Sequence, residues 1–506
     1  MEKINGRKLS LIFIFILILL VIALLVGKFT YSYLGPTISD DLEIQGEVTA
    51  SGDTLIFTKG NNLSLSATTD NFTTGGTNLT STTNPKVKLV ASTKTNQASA
   101  TYYVGVLIKN NTYVYTTSGN TPELILTIKD EKGNNVSSGV DGLTYVTSGG
   151  VSGFDVTGKK GLFNIKMDYP ISTTSSSAGT THTWTFTLTF VNLGTDQSDN
   201  ENASMNVDIY LQKTKILTLT DYVISQYTGT QGEKGLYYHD SSLANGAGDN
   251  SYRYAGASES VNNFVCFGST TNPCPTDNLY RIIGVIDGKV KLIKYDYATS
   301  ALLGTDGDYS GSDTPDTNYY KGSLTSIDNY YWNNVTKKNT WSESNLNKIN
   351  LNTNFINKIG SEWANKIATT TWKVGGNTWA NIGTSMPKTS YQNEIVSPAE
   401  NTTYDAKIGL MYVSDYSYAA ISSAWSTTLN NYKNIKDNNW MYMGNTDWPI
   451  SRLSVNSNNV FAVGINGGVN SHYVFGNSGV RPTFSLETSV TYVSGGGTQN
   501  SPIRIN

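Results

Sequence analysis

Cysteine occurs twice and histidine three times in 506 residues, and only 15% of the side chains are charged. His182, His239 and His472 are too scattered to build a zinc site, and they leave a reactive thiol little to pair with. No H-E-x-x-H, G-x-S-x-G, P-loop or strand-flanked G-x-G-x-x-G occurs, so the usual hydrolase, protease and nucleotide-binding templates have no foothold. Lysines and arginines form no cluster and the net charge is -3. Without a basic field to track a phosphate backbone, nucleic acid is excluded as a partner.

What the chain does hold is 32 tyrosines, nine tryptophans and 47 glycines among abundant Thr, Ser and Asn. That mixture suits β-structure with long polar loops, and the length suits two domains or three. Lys3, Arg7 and Lys8 precede an uncharged apolar run from Leu11 to Gly27, and Lys28 follows it. Such a run is roughly 26 Å as a helix, enough to cross a bilayer with Phe29, Tyr31 and Tyr33 at the interface. With its positive flank first, it places the remaining chain outside. A cleavable signal peptide is the alternative, but no A-x-A follows the run. The reading is therefore residues 1–9 in the cytoplasm and a single-pass anchor over 10–33.

Residues 34–215 read as an all-β, Ig-like sandwich. Short apolar runs such as "KVKLVAS", "TYYVGVLIK" and "ELILTIKD" are separated by turn clusters. In "HTWTFTLTF" the residues Trp184, Phe186, Leu188 and Phe190 alternate with threonines, which puts one face inward and Thr183, Thr185, Thr187 and Thr189 outward. Residues 216–233 read as a linker or short helix capped by Thr220 or Asp221. In the exported remainder, Cys266 and Cys274 read as one disulfide closing a short loop. "YRIIGVIDGKVKLIKYD" reads as a hairpin turning at Asp287-Gly288. Two helices are expected after it, the first in "TWSESNLNKINLNTNFINKI" with Ser342 or Ser344 as cap, the second in "SEWANKI".

The segments "YRIIGVIDGKVKLIKYD", "TWSESNLNKINLNTNF", "IGLMYVSDYSYA", "NNWMYMGNTDWPISR", "VFAVGINGGV" and "SGVRPTFSLE" occur in an order that resembles an exported bacterial domain of unknown function. That domain is similar to the α+β C-type-lectin-like fold of the formylglycine-generating, sulfatase-modifying enzymes. The resemblance covers residues 234–506, and the preceding sandwich resembles bacterial surface and matrix-fibre β-domains. It implies that Arg481 is a buried hub paired with Asp447 or Asp415, the competing reading being an exposed, ligand-binding arginine. The activity does not carry over. Those enzymes use a cysteine pair late in the domain, whereas both cysteines here lie at its start.

Two kinds of candidate site remain. "DGDYSG" places Asp306, Asp308 and Ser310 at calcium-loop spacing, with Asp313 nearby, although position twelve is Thr317 rather than glutamate. A solvated loop without metal is the plainer reading, so no cofactor is expected unless calcium binds there. The tryptophans, Trp341 and Trp448 among them, read as structural plugs, and Tyr330, Tyr331 and Tyr442 as exposed residues able to touch a carbohydrate or a protein. The expected function is ligand recognition at the cell surface without catalysis. A fibre built by strand addition and a non-canonical enzyme are the competitors.

Overall fold

Alternation decides the first half of the molecule. The computed structural model describes residues 44–48, 52–65, 69–72, 74–305, 320–324, 327–377 and 384–506. The expected membrane span over 10–33 lies outside the described residues. Among the described residues no helix is long and apolar enough to cross a membrane. Trp184, Phe186, Leu188 and Phe190 are wholly buried. Each such side chain contributes about 1.5–3 kcal/mol of apolar burial. Thr183, Thr185 and Thr187 are half-buried, but Thr189 is buried as well, because it is flanked by Thr80 on one neighbouring strand and Ile125 on the other.

The strands here form three antiparallel sheets. One joins Ile44–Val48, Thr54–Thr58, Lys86–Val90 and Thr180–Thr183. The second runs Leu79–Thr83, Thr185–Phe190, Leu124–Lys129, Val151–Asp155, Thr144–Ser148. The third places Ala98–Asn111 between Met205–Gln212 and Gly161–Thr173. Trp184 stands where the chain passes from the first sheet to the second. Its indole N–H, which would be costly to bury alone, donates to the Tyr102 hydroxyl at 2.8 Å. Leu55, Val87, Leu126 and Phe154 fill the same core.

The segment expected as a linker contains the helix Leu219–Ser225, whose cap is Thr218, not Thr220 or Asp221. The Thr218 hydroxyl accepts from the Asp221 N–H at 3.0 Å, which satisfies one of the free amides of the first turn. Leu219 and Val223 are buried in a second core, so this helix belongs to the structure that follows. There Leu236–His239, Ser251–Tyr254, Leu279–Ile286, Lys289–Lys294 and Thr483–Ser485 pair in that order, with Phe264–Cys266 beside Leu279–Ile286. Asp287 and Gly288 turn the hairpin with φ of 50° and 71°, as a primed turn demands. Pro482 needs no donor where it sits, just before Thr483–Ser485, and its carbonyl accepts from the Lys294 N–H at 3.0 Å.

The helical segment begins as a 3-10 turn over Trp341–Glu343, widens into a π-type helix over Leu346–Phe355 and continues as Ile356–Ala364. Gly360, at φ 78°, breaks it where two separate helices were expected. The Ser344 hydroxyl accepts from Asn347 N–H at 3.3 Å and donates to the Trp332 carbonyl, tying the start of the helix to a buried tryptophan. Cys266 and Cys274 form the expected disulfide.

Candidate functional site

Arg253, Gly284, Lys291 and Ser485 pair in one row across the sheet of the second core. The hairpin turn fixes this register, and a bulge between Ile282 and Gly284 adjusts it. Gly284 sits between the two cations and has no side chain to separate them. Asp415, in the first turn of Val413–Tyr418, reaches both. Its Oδ2 lies 2.5 Å from Lys291 Nζ and its Oδ1 3.4 Å from Arg253 Nη1. Oδ2 also accepts from the Tyr412 N–H at 2.9 Å, which caps that helix.

All three charges are buried. Side-chain exposure is 3% for Arg253, 7% for Lys291 and 2% for Asp415. Arg253 has a second carboxylate, Asp249 Oδ2 at 2.7 Å, and its guanidinium lies 5.6 and 5.5 Å from the rings of Tyr391 and Tyr418. Burial alone would raise the Asp249 carboxyl, but Arg253 and the Ser251 hydroxyl outweigh it and hold it below the usual range. Lys291 Nζ lies 4.6 Å from the Tyr412 ring and 5.4 Å from that of Trp372. Loss of solvent pushes its ammonium pKa down, against the pull of Asp415.

Next to this centre Glu394 is buried with two donors and no cation. Ser414 N–H donates to Oε1 at 2.7 Å and the Ser451 hydroxyl to Oε2 at 2.6 Å. Desolvation pushes its carboxyl up to about 7. The row opens onto a cleft of about 310 Å³ whose lining includes Trp372, Tyr391 and Tyr412, with Thr370, Lys289 and Lys373 at less buried positions. Aromatic walls, hydroxyls and amines converging on one concavity can hold a polar ring-bearing ligand.

The expected site residues are distributed otherwise. Arg481 is buried, with its Nε donating to Asp447 Oδ2 at 2.6 Å and Nη2 to the Met441 carbonyl at 2.7 Å. Burial pushes the Asp447 carboxyl up and Arg481 opposes that shift. Asp415 is not its partner, because Asp415 belongs to Arg253 and Lys291. Trp341 and Trp448 are core residues, and Trp448 Nε1 donates to the Tyr330 carbonyl at 2.8 Å. Tyr330 is likewise in the core at 0% exposure. Its hydroxyl donates to the Gly304 carbonyl, so it offers no face to a ligand and is removed as a contact residue.

Tyr331 and Tyr442 are half-buried, and the Tyr442 hydroxyl donates to the Ile465 carbonyl at 2.5 Å. Neither lines the cleft. Asp306, Asp308, Ser310 and Asp313 lie outside the described residues. Among the described residues no three His, Cys, Asp or Glu side chains gather to hold a metal. Sequence reasoning missed Arg253, Lys291 and Glu394. The one usable signal was the Asp-Gly turn, which puts Lys291 three residues past Gly288 on a paired strand. It also missed Tyr473 and Phe475, stacked at 4.9 Å with 52% and 37% exposure.

No curated protein and no solved structure matches the chain. Residues 287–488 match the model of a domain of unknown function, DUF6273, a span that takes in Lys291, Glu394, Asp415, Asp447 and Arg481 but not Arg253.

Proposed function

We propose that the chain is a cell-surface recognition protein, anchored through residues 10–33, with a β-sandwich stalk over 34–215 and a C-type-lectin-like module over 234–506 that binds an extracellular carbohydrate without catalysis. The carrying observation is the cleft above the Arg253–Lys291 row. It combines ring faces for stacking with hydroxyl and amine groups for orientation, which is how sugar hydroxyls and their apolar faces are held together. Lysines at its edge also suit acidic sugars.

The test is a glycan array probed with the full chain in detergent, beside a Thr370→Trp variant. Thr370 lies two residues from Trp372 on the Thr370–Lys373 strand and so shares its face, and an indole there would fill the cleft. Saturable binding to a glycan that the variant loses is the expected result. A glycan bound equally by both proteins, or none bound, overturns the reading, and cleavage of the bound glycan would replace recognition by catalysis.

A further inference from the structure

We propose that Lys291 and Asp415 condense to an intramolecular isopeptide bond. The inference is independent of what the cleft receives, since it concerns the floor beneath it.

The geometry is that of reactants already brought together. Lys291 Nζ is 2.5 Å from Asp415 Oδ2, so the amine and the carboxyl group are in direct contact and the proximity that such a condensation needs is supplied by the fold. Both side chains are more than nine-tenths buried, and the rings of Trp372 and Tyr412 stand where water would otherwise solvate the ammonium. In bulk water such a condensation is uphill because both charged groups are well solvated. Here that solvation is absent, and replacing a buried ammonium and carboxylate by a neutral amide removes the desolvation penalty of both.

The step balances without a co-reactant. The ammonium gives one proton to Oδ2, its freed lone pair attacks Cγ, and the new C–N bond forms. A second proton passes from nitrogen to Oδ2, the Cγ–Oδ2 bond breaks, and Oδ2 departs as water. Oδ1 becomes the amide carbonyl. Arg253 Nη1, 3.4 Å from Oδ1, is aimed at the oxygen that carries negative charge in the tetrahedral intermediate, and the Tyr412 N–H steadies the departing one. Lys291 and Asp415 both line the cleft, which gives the water its exit.

The charges that remain still match. Four charges, three of them buried, become two, Arg253 with Asp249 at 2.7 Å, so neither is stranded. Glu394, whose neutral form burial favours, lies beside them on its own two donors. The bond would join a sheet strand to a helix across 124 residues, a far longer loop than the disulfide closes.

The test is mass spectrometry of protease digests of the full chain. The expected result is a branched species in which the peptide with Lys291 and the peptide with Asp415 travel together, one water lighter than their sum. Fragment ions should place the link at those two residues, and protease cleavage after Lys291 should be lost. Asp415→Ala should abolish the species. If that variant fails to fold, the wild-type digest decides alone, because full recovery of the two peptides unlinked overturns the proposal.

Discussion

Glu394 is a carboxyl with ordinary pKa 4.5 in an unfolded chain and about 7 in the folded one, raised by desolvation. Below the lower value both states are protonated and its favourable contribution is complete. As pH climbs between the two values the unfolded state sheds its proton first, so stability falls, and above the folded pKa the contribution is gone. The gap corresponds to on the order of 3 kcal/mol. Glu394→Gln keeps the shape and removes the titration. Denaturation midpoints measured between about pH 5 and about pH 8 should fall with pH in the wild type and fall much less in the variant, and equal slopes would refute the assignment.

Residue by residue, the legible part of the site was the part written locally. Arg481 stands between valine and proline in an apolar run, and resemblance marked it as a buried hub. The choice between Asp447 and Asp415 was not readable, because both are acids in aromatic-rich segments and only the tertiary approach of Val413–Tyr418 to the sheet assigns Asp415 to Lys291. Tyr330 misled for a related reason. "NYYWNN" looks like an exposed aromatic loop, yet Tyr330 pairs with Ser478 and fills the core, while its neighbour Tyr331 stays half-buried.

At the scale of elements, period and turn chemistry carried the most. The alternation around Trp184 and the Asp287-Gly288 hairpin follow from backbone geometry that needs no distant partner. The helical segment after Trp341 was less readable, since its π-type widening is set by contacts its own sequence does not contain. Asn347, Asn350 and Asn352 all spend their amides on carbonyls, two of them outside the helix. Gly284 shows how one element depends on its neighbour. A Cβ built there would lie 2.0 Å from the Tyr252 carbonyl oxygen and 3.1 Å from Arg253 Cα, so the Ser251–Tyr254 strand would have to move. Overpacking of this kind costs about 1–3 kcal/mol before any loss from the Arg253 ion pairs. Gly284→Ala should therefore lower the denaturation midpoint more than Gly288→Asn, where nothing lies within 4 Å and asparagine meets only the cost of the left-handed φ of 71°. A larger loss at Gly288 would contradict the row geometry.

At the scale of the whole molecule, the two cores share no residue. One runs from Leu55 to Val207 and the other from Leu219 to Ile505. Tryptophan divides them unevenly, for Trp184 is the only one of nine before residue 332. Tryptophan fluorescence therefore reports almost entirely on the second half of the chain, where Trp332, Trp341, Trp363, Trp372, Trp440 and Trp448 lie in the second core, while the backbone signal of β-structure reports on both halves. Leu126 is wholly buried in the first core, opposite Leu188 and Phe154 on its two neighbouring strands. Leu126→Ala should cost about 2–5 kcal/mol there through lost burial and the cavity left behind. If the cores unfold independently, denaturant titration of this variant shows an early circular-dichroism transition and an unmoved fluorescence midpoint. A fluorescence midpoint that shifts by as much as the backbone signal would mean that the contacts between the halves, such as Asn506 Nδ2 to the Tyr210 hydroxyl at 3.4 Å, bind them into one cooperative unit.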